Sequence, residues 1–250
     1  DSLIDTRSTN KTDWKNGAVN VNLRHKFSAK QQLAADLDWV GYKIQGDQAF
    51  QNERKGNDAY IESYTGALPS TIRILSFKAD HSITLRESLL LETGIKVSNT
   101  KTDNDAAYFV NNGAGWEEDL AKTNHFLYAE NIRAAYASIE KKSEQWSMQL
   151  GLRYEYTSYT GEQLGNSLLK DSAFSNRYGS LFPNFLATYR IDSLNELSLS
   201  FGKRIDRPPY QKLNPFVSIL NKYTYQAGNP LMKPQYTHNL ELTHRFKDFL

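Results

Sequence analysis

The chain has 250 residues, with 30 Lys and Arg against 28 Asp and Glu, so its formal net charge is only +2. This near balance gives no argument for a nucleic-acid partner. The sequence has no cysteine, which excludes a disulfide framework and a thiolate metal site. No apolar run approaches about 18 residues, so a transmembrane helix is excluded, whereas transmembrane β-strands, apolar only at alternate positions, remain open.

About nine segments alternate between apolar and polar residues, which predicts strands with one apolar side and one polar side. In the clearest segment, Trp146, Met148, Leu150 and Leu152 alternate with polar residues and glycine. In the third, the apolar parity changes after Ile74, so we expect a β-bulge there. The predicted strands lie near residues 19–27, 33–39, 72–81, 89–97, 126–136, 146–157, 182–191, 197–201 and 240–246.

The connections between these segments alternate between short and long. Short turns are predicted at residues 28–31, 82–84, 141–144 and 192–195, and long polar loops at 45–70, 99–123, 160–178 and 203–235. A soluble sandwich has no reason to sort its connections in this way, because most loops in compact domains are short. An outer-membrane barrel does, with short periplasmic turns on one rim and long extracellular loops on the other.

The side chains on the two sides of the predicted strands agree with a barrel. Trp146 lies at one end of its strand and Tyr154 and Tyr156 at the other, as in the aromatic girdles of a membrane protein. The opposite sides carry charges that suit a wet lumen and would be costly in lipid. These charged residues are Arg24, Lys26, Asp36, Asp38, Glu92, Lys96, Arg153 and Glu155.

The expected fold is therefore all-β, an antiparallel up-and-down transmembrane β-barrel segment of about nine strands. Bacterial barrels close with an even number of strands, and a plugged barrel of about 22 strands is much larger than this chain. We expect residues 1–250 to form part of a single β-barrel domain, with any plug domain absent from this chain. The expected location is the outer membrane of a Gram-negative bacterium, with outer-membrane lipid as a partner.

Several ordered motifs resemble TonB-dependent outer-membrane receptors, and most closely the Bacteroidetes outer membrane β-barrel branch. These motifs are Lys101-Thr-Asp-Asn-Asp105, Phe126-Leu-Tyr-Ala-Glu-Asn-Ile-Arg-Ala-Ala-Tyr136, Gly151-Leu-Arg-Tyr-Glu155, Leu181-Phe-Pro183, Arg204-Ile-Asp-Arg-Pro-Pro-Tyr210, Leu213-Asn-Pro-Phe216 and Gly228-Asn-Pro-Leu-Met-Lys-Pro234. The resemblance implies a 22-stranded barrel, an N-terminal plug and energy coupling through the TonB complex. It also implies uptake of a small ligand such as a siderophore, a glycan or a peptide.

The loop at residues 203–235 holds five of the seven prolines, together with aromatic and amide side chains. This composition favours a loop packed on itself. The candidate ligand-binding residues are Arg204, Arg207, Tyr210, Asn214, Tyr223 and Tyr225. The arginines would bind an anion and the tyrosines would stack on a ring. Ion pairing within the protein and loop packing are the alternative roles.

We expect no enzyme activity, no catalytic residues, no cofactor and no metal, because no nucleophile elbow, phosphate loop or zinc motif is present. Residues 102–105 with Glu117, Glu118 and Asp119 lack the glycine and closing glutamate of a calcium loop and are interpreted as solvated. Two alternative functions remain open at this stage. One is a passive barrel or surface adhesion protein, and the other is a soluble β-sandwich binding module.

Overall fold

A computed structural model describes residues 3–56, 59–213, 217–221 and 224–246. In the described residues, one antiparallel sheet contains a short edge strand and nine main strands, and the main strands lie side by side in chain order. They are β1 (Leu3–Ser28), β2 (Gln31–Lys55), β3 (Tyr60–Arg86), β4 (Leu89–Asn111), β6 (Asn124–Lys142), β7 (Trp146–Leu164), β8 (Ser172–Arg190), β9 (Asn195–Asp206) and β12 (Gln235–Phe246). The up-and-down order confirms the predicted fold class.

Smaller elements lie in the connections on one rim. The short strand β5 (Trp116–Glu118) pairs with the last residues of β4, Phe109–Asn111. Between β9 and β12, the chain forms a one-turn helix α1 (Tyr210–Leu213) and a separate hairpin of β10 (Val217–Asn221) and β11 (Thr224–Ala227). In the described residues, no helix is long and apolar enough to cross a membrane.

The turns at the other rim are tight and are held by side chains. Between β6 and β7, the amide of Trp146 donates to Ser143 Oγ at 3.2 Å, and between β8 and β9 the amides of Leu194 and Asn195 each donate to Asp192 Oδ1 at 2.8 Å. Asp and Ser favour turns because their side-chain oxygens accept from nearby backbone amides. The turn predicted at residues 82–84 is instead at 87–88, since β3 and β4 pair as far as Arg86 and Leu89.

Three of the four predicted long loops are mostly strand, so the prediction of irregular structure there is wrong. β2 continues to Lys55 and β3 begins at Tyr60, with an unbroken register from Tyr60 opposite Arg54 inward. The segment of residues 102–105, which was interpreted as a solvated loop, is likewise paired within β4. These outer strand ends were missed because their exposed polar sequences lack apolar alternation, while the backbone still pairs. The bulge expected near Ile74 is also absent from the register of β3.

The sheet has two chemically different faces, which we call the outer face and the inner face. The outer face presents a band of exposed apolar side chains, and near the short-turn rim the rings of Trp146 and Tyr189 lie 4.3 Å apart between centroids, tilted by 30°. Leu150, in the middle of this band, is 55% exposed. Other members are Val19, Val21, Leu23, Leu37, Trp39, Leu75, Phe77, Ile95, Val97, Met148, Leu152, Leu199, Leu240 and Leu242. This band matches the lipid-facing surface of a membrane barrel.

The inner face is polar and is laced by contacts between neighbouring strands. Asn20 donates to Asp38 and Asn22 to Asp36, each at 2.5 Å, and Lys78 lies 2.6 Å from Asp80. Of these residues, Asp36 and Asp38 are among the charges that the sequence assigned to a wet lumen. In the described part of the chain, no second sheet covers the apolar face as it would in a β-sandwich.

Candidate functional site

The inner face holds an aromatic cluster at the ends of β6, β7 and β8 that lie nearest the long loops. Tyr128 and Tyr159 have ring centroids 5.9 Å apart, and Tyr159 also meets Phe174 at 6.3 Å and Tyr178 at 6.5 Å. Phe126 is fully buried in this cluster. All five side chains share the inner face because alternate residues of a strand point to the same side. The cluster gives this end of the sheet a small apolar core.

The connection between β9 and β12, residues 207–234, packs onto this cluster. Leu213, the last residue of α1, is 0% exposed and lies against the buried aromatic residues, and Met232 packs at the edge. Asn229 closes the loop, since its amide donates to the carbonyl of Lys212 at 2.7 Å and its Oδ1 accepts from the amide of Leu231 at 2.9 Å. The loop is therefore anchored to the sheet by its own apolar side chains and backbone.

An ionic group lies just below the aromatic cluster on the inner face of β7. The Glu155 carboxylate is 7% exposed and lies between two guanidinium groups. Arg153 donates through Nε and Nη2 to Glu155 Oε2 at 3.0 and 2.7 Å, and Arg207 forms an ion pair with Oε1. Arg207 also donates to the buried Thr157 Oγ1 at 3.4 Å. A carboxylate with so little access to water needs such partners, because an unpaired buried charge is costly.

A second contact ties β9 to the inner face. The β8–β9 ladder ends at Asn184 opposite Gly202, beside Pro183, which has no backbone N–H to donate. Beyond this point, Lys203 Nζ donates to Ser180 Oγ at 2.7 Å and lies 4.7 Å from the ring centroid of Tyr236. Phe182 and Tyr236 stack at 6.3 Å. The ends of β9 and β12 nearest the long loops therefore lie over the inner face. The loop between these two strands continues from there.

Below these contacts, the inner face contains an open polar hollow of about 730 Å³. Lys78, Asp80, Glu92 and Lys96 are among its lining residues. Tyr136 borders the hollow, donates to Asp80 and lies 5.5 Å from the Arg153 guanidinium. In a barrel this hollow faces the lumen. Its alternating positive and negative groups can hydrogen-bond water, a polar solute or another protein segment.

Of the six residues that the sequence proposed for ligand binding, the structure describes the positions of four. Arg207 lies on the inner face against Glu155, whereas Arg204 is exposed in β9 opposite Thr237. Tyr210 begins α1, and Tyr225 lies in β11 opposite Ile219. Asn214 and Tyr223 lie outside the described residues.

Sequence reasoning did not identify the residues that hold the loop in place. Glu155 was interpreted as a lumen charge and as part of a family motif, Leu213 was named only within such a motif, and Tyr159 and Lys203 were not singled out. In the described residues, no three His, Asp or Glu side chains converge as metal ligands.

The outer apolar band, the polar inner face and the consecutive antiparallel order together define an outer-membrane β-barrel protein. Residues 25–250 match the outer membrane protein beta-barrel family, and the chain belongs to that family. The resemblance inferred from the motifs is thus confirmed for family and fold. A comparison of the sequence with curated proteins finds no match.

Solved outer-membrane receptors and transporters share this fold. The siderophore receptor PiuA from Acinetobacter baumannii matches with a TM-score of 0.60 and 13% identity, over 96% of this chain and 38% of that one. The ferric yersiniabactin uptake receptor FyuA from Yersinia pestis matches with a TM-score of 0.53 and 11% identity, over 94% of this chain and 43% of that one. The copper transporter OprC also matches with a TM-score of 0.53 and 11% identity, over 94% of this chain and 43% of that one. The chain therefore spans about two-fifths of these proteins.

Proposed function

We propose that this chain is part of the barrel of a TonB-dependent receptor that imports a small ligand across the outer membrane. The observation that carries the proposal is the loop at residues 207–234, which is packed over a polar inner face through Leu213 and Arg207. A loop held over the lumen can contact a solute entering the barrel. Such a role requires no catalytic group in this chain, and its energy would come through a plug and the TonB complex.

The ligand class remains a siderophore, a glycan or a peptide in this proposal. Arg204, Arg207, Tyr210, Asn214, Tyr223 and Tyr225 are the residues proposed to contact it. Arg204 is the stronger arginine candidate, because it is exposed, whereas Arg207 is engaged by Glu155. Specificity would come from this loop together with the rest of the barrel and the plug, since loops on a rigid scaffold carry most binding residues.

The test is uptake by intact cells of the bacterium that makes the protein. Cells are given radiolabelled ferric siderophores, labelled oligosaccharides or labelled peptides, and uptake is compared in wild-type cells, a deletion of the gene and a deletion of TonB. The proposal expects one ligand class to lose most of its uptake in both deletions. Uptake that needs the gene but not TonB would instead identify a passive barrel. Uptake independent of the gene for every ligand would leave a surface adhesion role.

A pair of arginine variants tests the residue assignment in the whole protein. Arg204→Ala is expected to weaken ligand uptake while the loop stays as resistant to protease as in the wild type. Arg207→Ala is expected to alter both uptake and protease resistance, because it removes a contact between the loop and β7. Normal uptake in Arg204→Ala would remove that residue from the proposed site.

A further inference from the structure

Four basic side chains form a row on the outer face, beyond the apolar band on the side of the long loop. Lys15 of β1 lies directly opposite Lys43 of β2, and Arg73 of β3 lies directly opposite Lys101 of β4. Lys43 lies opposite Thr71, two residues from Arg73, so the two pairs adjoin. All four side chains are exposed. We call these four residues the basic row.

The basic row follows the edge of the apolar band from strand to strand. Toward the long loops, Lys15 lies four residues beyond Val19, and Lys43 lies four residues beyond Trp39. In the same direction, Arg73 lies two residues beyond Leu75, and Lys101 lies four residues beyond Val97. At about 3.3 Å per residue, the cations lie roughly 7 to 13 Å beyond the last large apolar side chain. This is the depth of lipid head groups, and the long-loop side places them in the outer leaflet.

The protein itself neutralises these charges only in part, through the carboxylates of Asp103 and Glu162, which line the hollow beside Arg73 and Lys101. None of the four cations has an ion-pair partner among the described residues, and the nearest carboxylates on the same face are already engaged. Asp13 pairs with Lys11 at 3.0 Å, and Asp103 pairs with His125 at 2.7 Å. Like charges directly opposite each other in a sheet are destabilising, so two adjoining pairs favour a bound anion.

The surface around the basic row is shaped to receive a lipid. A hollow of about 540 Å³ lies between Lys15, Lys43 and Arg73, with Gly17 and Gly41 in its floor and Trp39 at its side. The Trp39 ring lies so close over Gly41 that a Cβ there would be 3.0 Å from it. An adjoining hollow of about 350 Å³ is also lined by Arg73, and Lys101 is among its other lining residues. A tryptophan beside cations is the usual arrangement at a membrane interface.

We propose that the basic row binds an outer-leaflet glycolipid whose head group carries two phosphates. The row crosses three inter-strand spacings, or roughly 14 Å, which gives each cation pair room for one phosphate. The acyl chains of the lipid lie along the apolar band below Trp39. This contact is independent of ligand import, because it uses the outer face and leaves the lumen free.

The test uses the whole protein that contains this chain, extracted from outer membranes in mild detergent. Binding of diphosphoryl lipid A and monophosphoryl lipid A is measured by native mass spectrometry. The row variant carries Lys15→Gln, Lys43→Gln, Arg73→Gln and Lys101→Gln. The matched control carries Arg24→Gln, Lys26→Gln, Lys78→Gln and Lys96→Gln, which remove four cations from the inner face of the same sheet.

The wild type and the control are expected to bind diphosphoryl lipid A more tightly than the monophosphoryl form. The row variant is expected to lose affinity by about fivefold for each cation removed, together with the preference for the second phosphate. Equal binding of the two lipids by the wild type would overturn the proposal, as would unchanged binding by the row variant. If the fourfold variant is not recovered, Lys15→Gln with Lys43→Gln and Arg73→Gln with Lys101→Gln are measured as separate pairs, with the same two readings.

Discussion

Arg207 forms an ion pair with Glu155, which joins the long loop after β9 to the inner face of β7. Because Arg153 holds the other carboxylate oxygen at 2.7 Å, Glu155 connects two cations from separate parts of the chain. Removing the carboxylate leaves two guanidinium groups close together without their common partner. The loop should then be held by the packing of Leu213 and Met232, by the hydrogen bond from Arg207 to Thr157 and by its backbone hydrogen bonds.

Glu155→Gln is expected to loosen the loop at residues 207–234. A hydrogen bond to a charged group contributes about 2 kcal/mol, so the opening free energy of the loop should fall by roughly that amount. Hydrogen exchange of the loop amides in the whole protein measures this change. Glu162→Gln is the control, because Glu162 is an exposed residue of the same strand. Identical exchange in both variants would show that the ion pair does not hold the loop.

Leu213→Ala should also free the loop, but through lost packing. Leu213 is 0% exposed among Phe126, Tyr128 and Tyr159, and truncating a fully buried leucine costs about 2 to 5 kcal/mol. Limited proteolysis of the protein in outer-membrane vesicles should show faster cleavage within the loop. Leu231→Ala is the matched control, because Leu231 is 80% exposed in the same loop. The loop of this variant should be cleaved at the wild-type rate. Equal rates for the two variants would contradict the anchoring role of Leu213.

The two faces of β7 give a test of membrane orientation with adjacent residues. Leu150→Arg places a charge in the middle of the apolar band and should cost about 2 to 4 kcal/mol in folding. Gln149→Arg places the same charge on the inner face, beside the polar hollow, and should be tolerated. The measurement is the amount of heat-modifiable, folded protein in the outer-membrane fraction. Equal loss of folded protein in both variants would rule out the assigned faces.

The turn between β8 and β9 should respond to pH through Asp192. The amide of Leu194 holds the pKa of the Asp192 carboxyl below its ordinary value of 3.8, and the side chain and amide of Asn195 add to the effect. Because the folded-state pKa is lowered, this carboxylate stabilises the turn above pH 3.8, and the stabilisation is lost as the pH falls through the lowered pKa.

Hydrogen exchange of the Leu194 and Asn195 amides between pH 2 and pH 6 measures this dependence once the intrinsic pH effect on exchange is subtracted. Asp192→Asn should keep an acceptor for both amides and lose the acid-dependent step. Asp192→Ala should exchange faster throughout the range. A step that persists in Asp192→Asn would assign the pH dependence to another group.

The sequence predicted the parts of the fold that depend on local alternation. Leu150 and Gln149 differ in hydropathy at adjacent positions, so the face of each residue was predictable, and Asp192 in a polar tetrapeptide marked a short turn. The outer halves of β2 and β3 were not predictable, because their sequences, around residues such as Gln45 and Ser70, are polar and have no apolar period. Their pairing depends on the neighbouring strand, which local sequence does not specify.

The candidate site was only partly predictable for a similar reason. The proline content of residues 203–235 predicted a loop packed on itself, whereas the described contacts of Leu213 and Met232 hold it against the sheet. The partners of that loop, Glu155 on β7 and the aromatic cluster on β6 to β8, are distant in the chain and show no local pattern. Arg204 and Arg207 look equivalent in sequence, and only the tertiary contact with Glu155 distinguishes them.

The consecutive pairing of the strands also has a kinetic consequence. From β1 to β9, each strand joins the sheet beside the strand that precedes it, so most pairings close only a short length of chain. The entropy lost on closing a loop grows with its length, and the sheet can therefore grow by adding one hairpin at a time. The exception is β12, which reaches β9 only after the chain has passed through α1 and the β10–β11 hairpin. Docking of Leu213 would shorten that search, so the loop at the mouth of the barrel would also set the rate at which its last described strand is added.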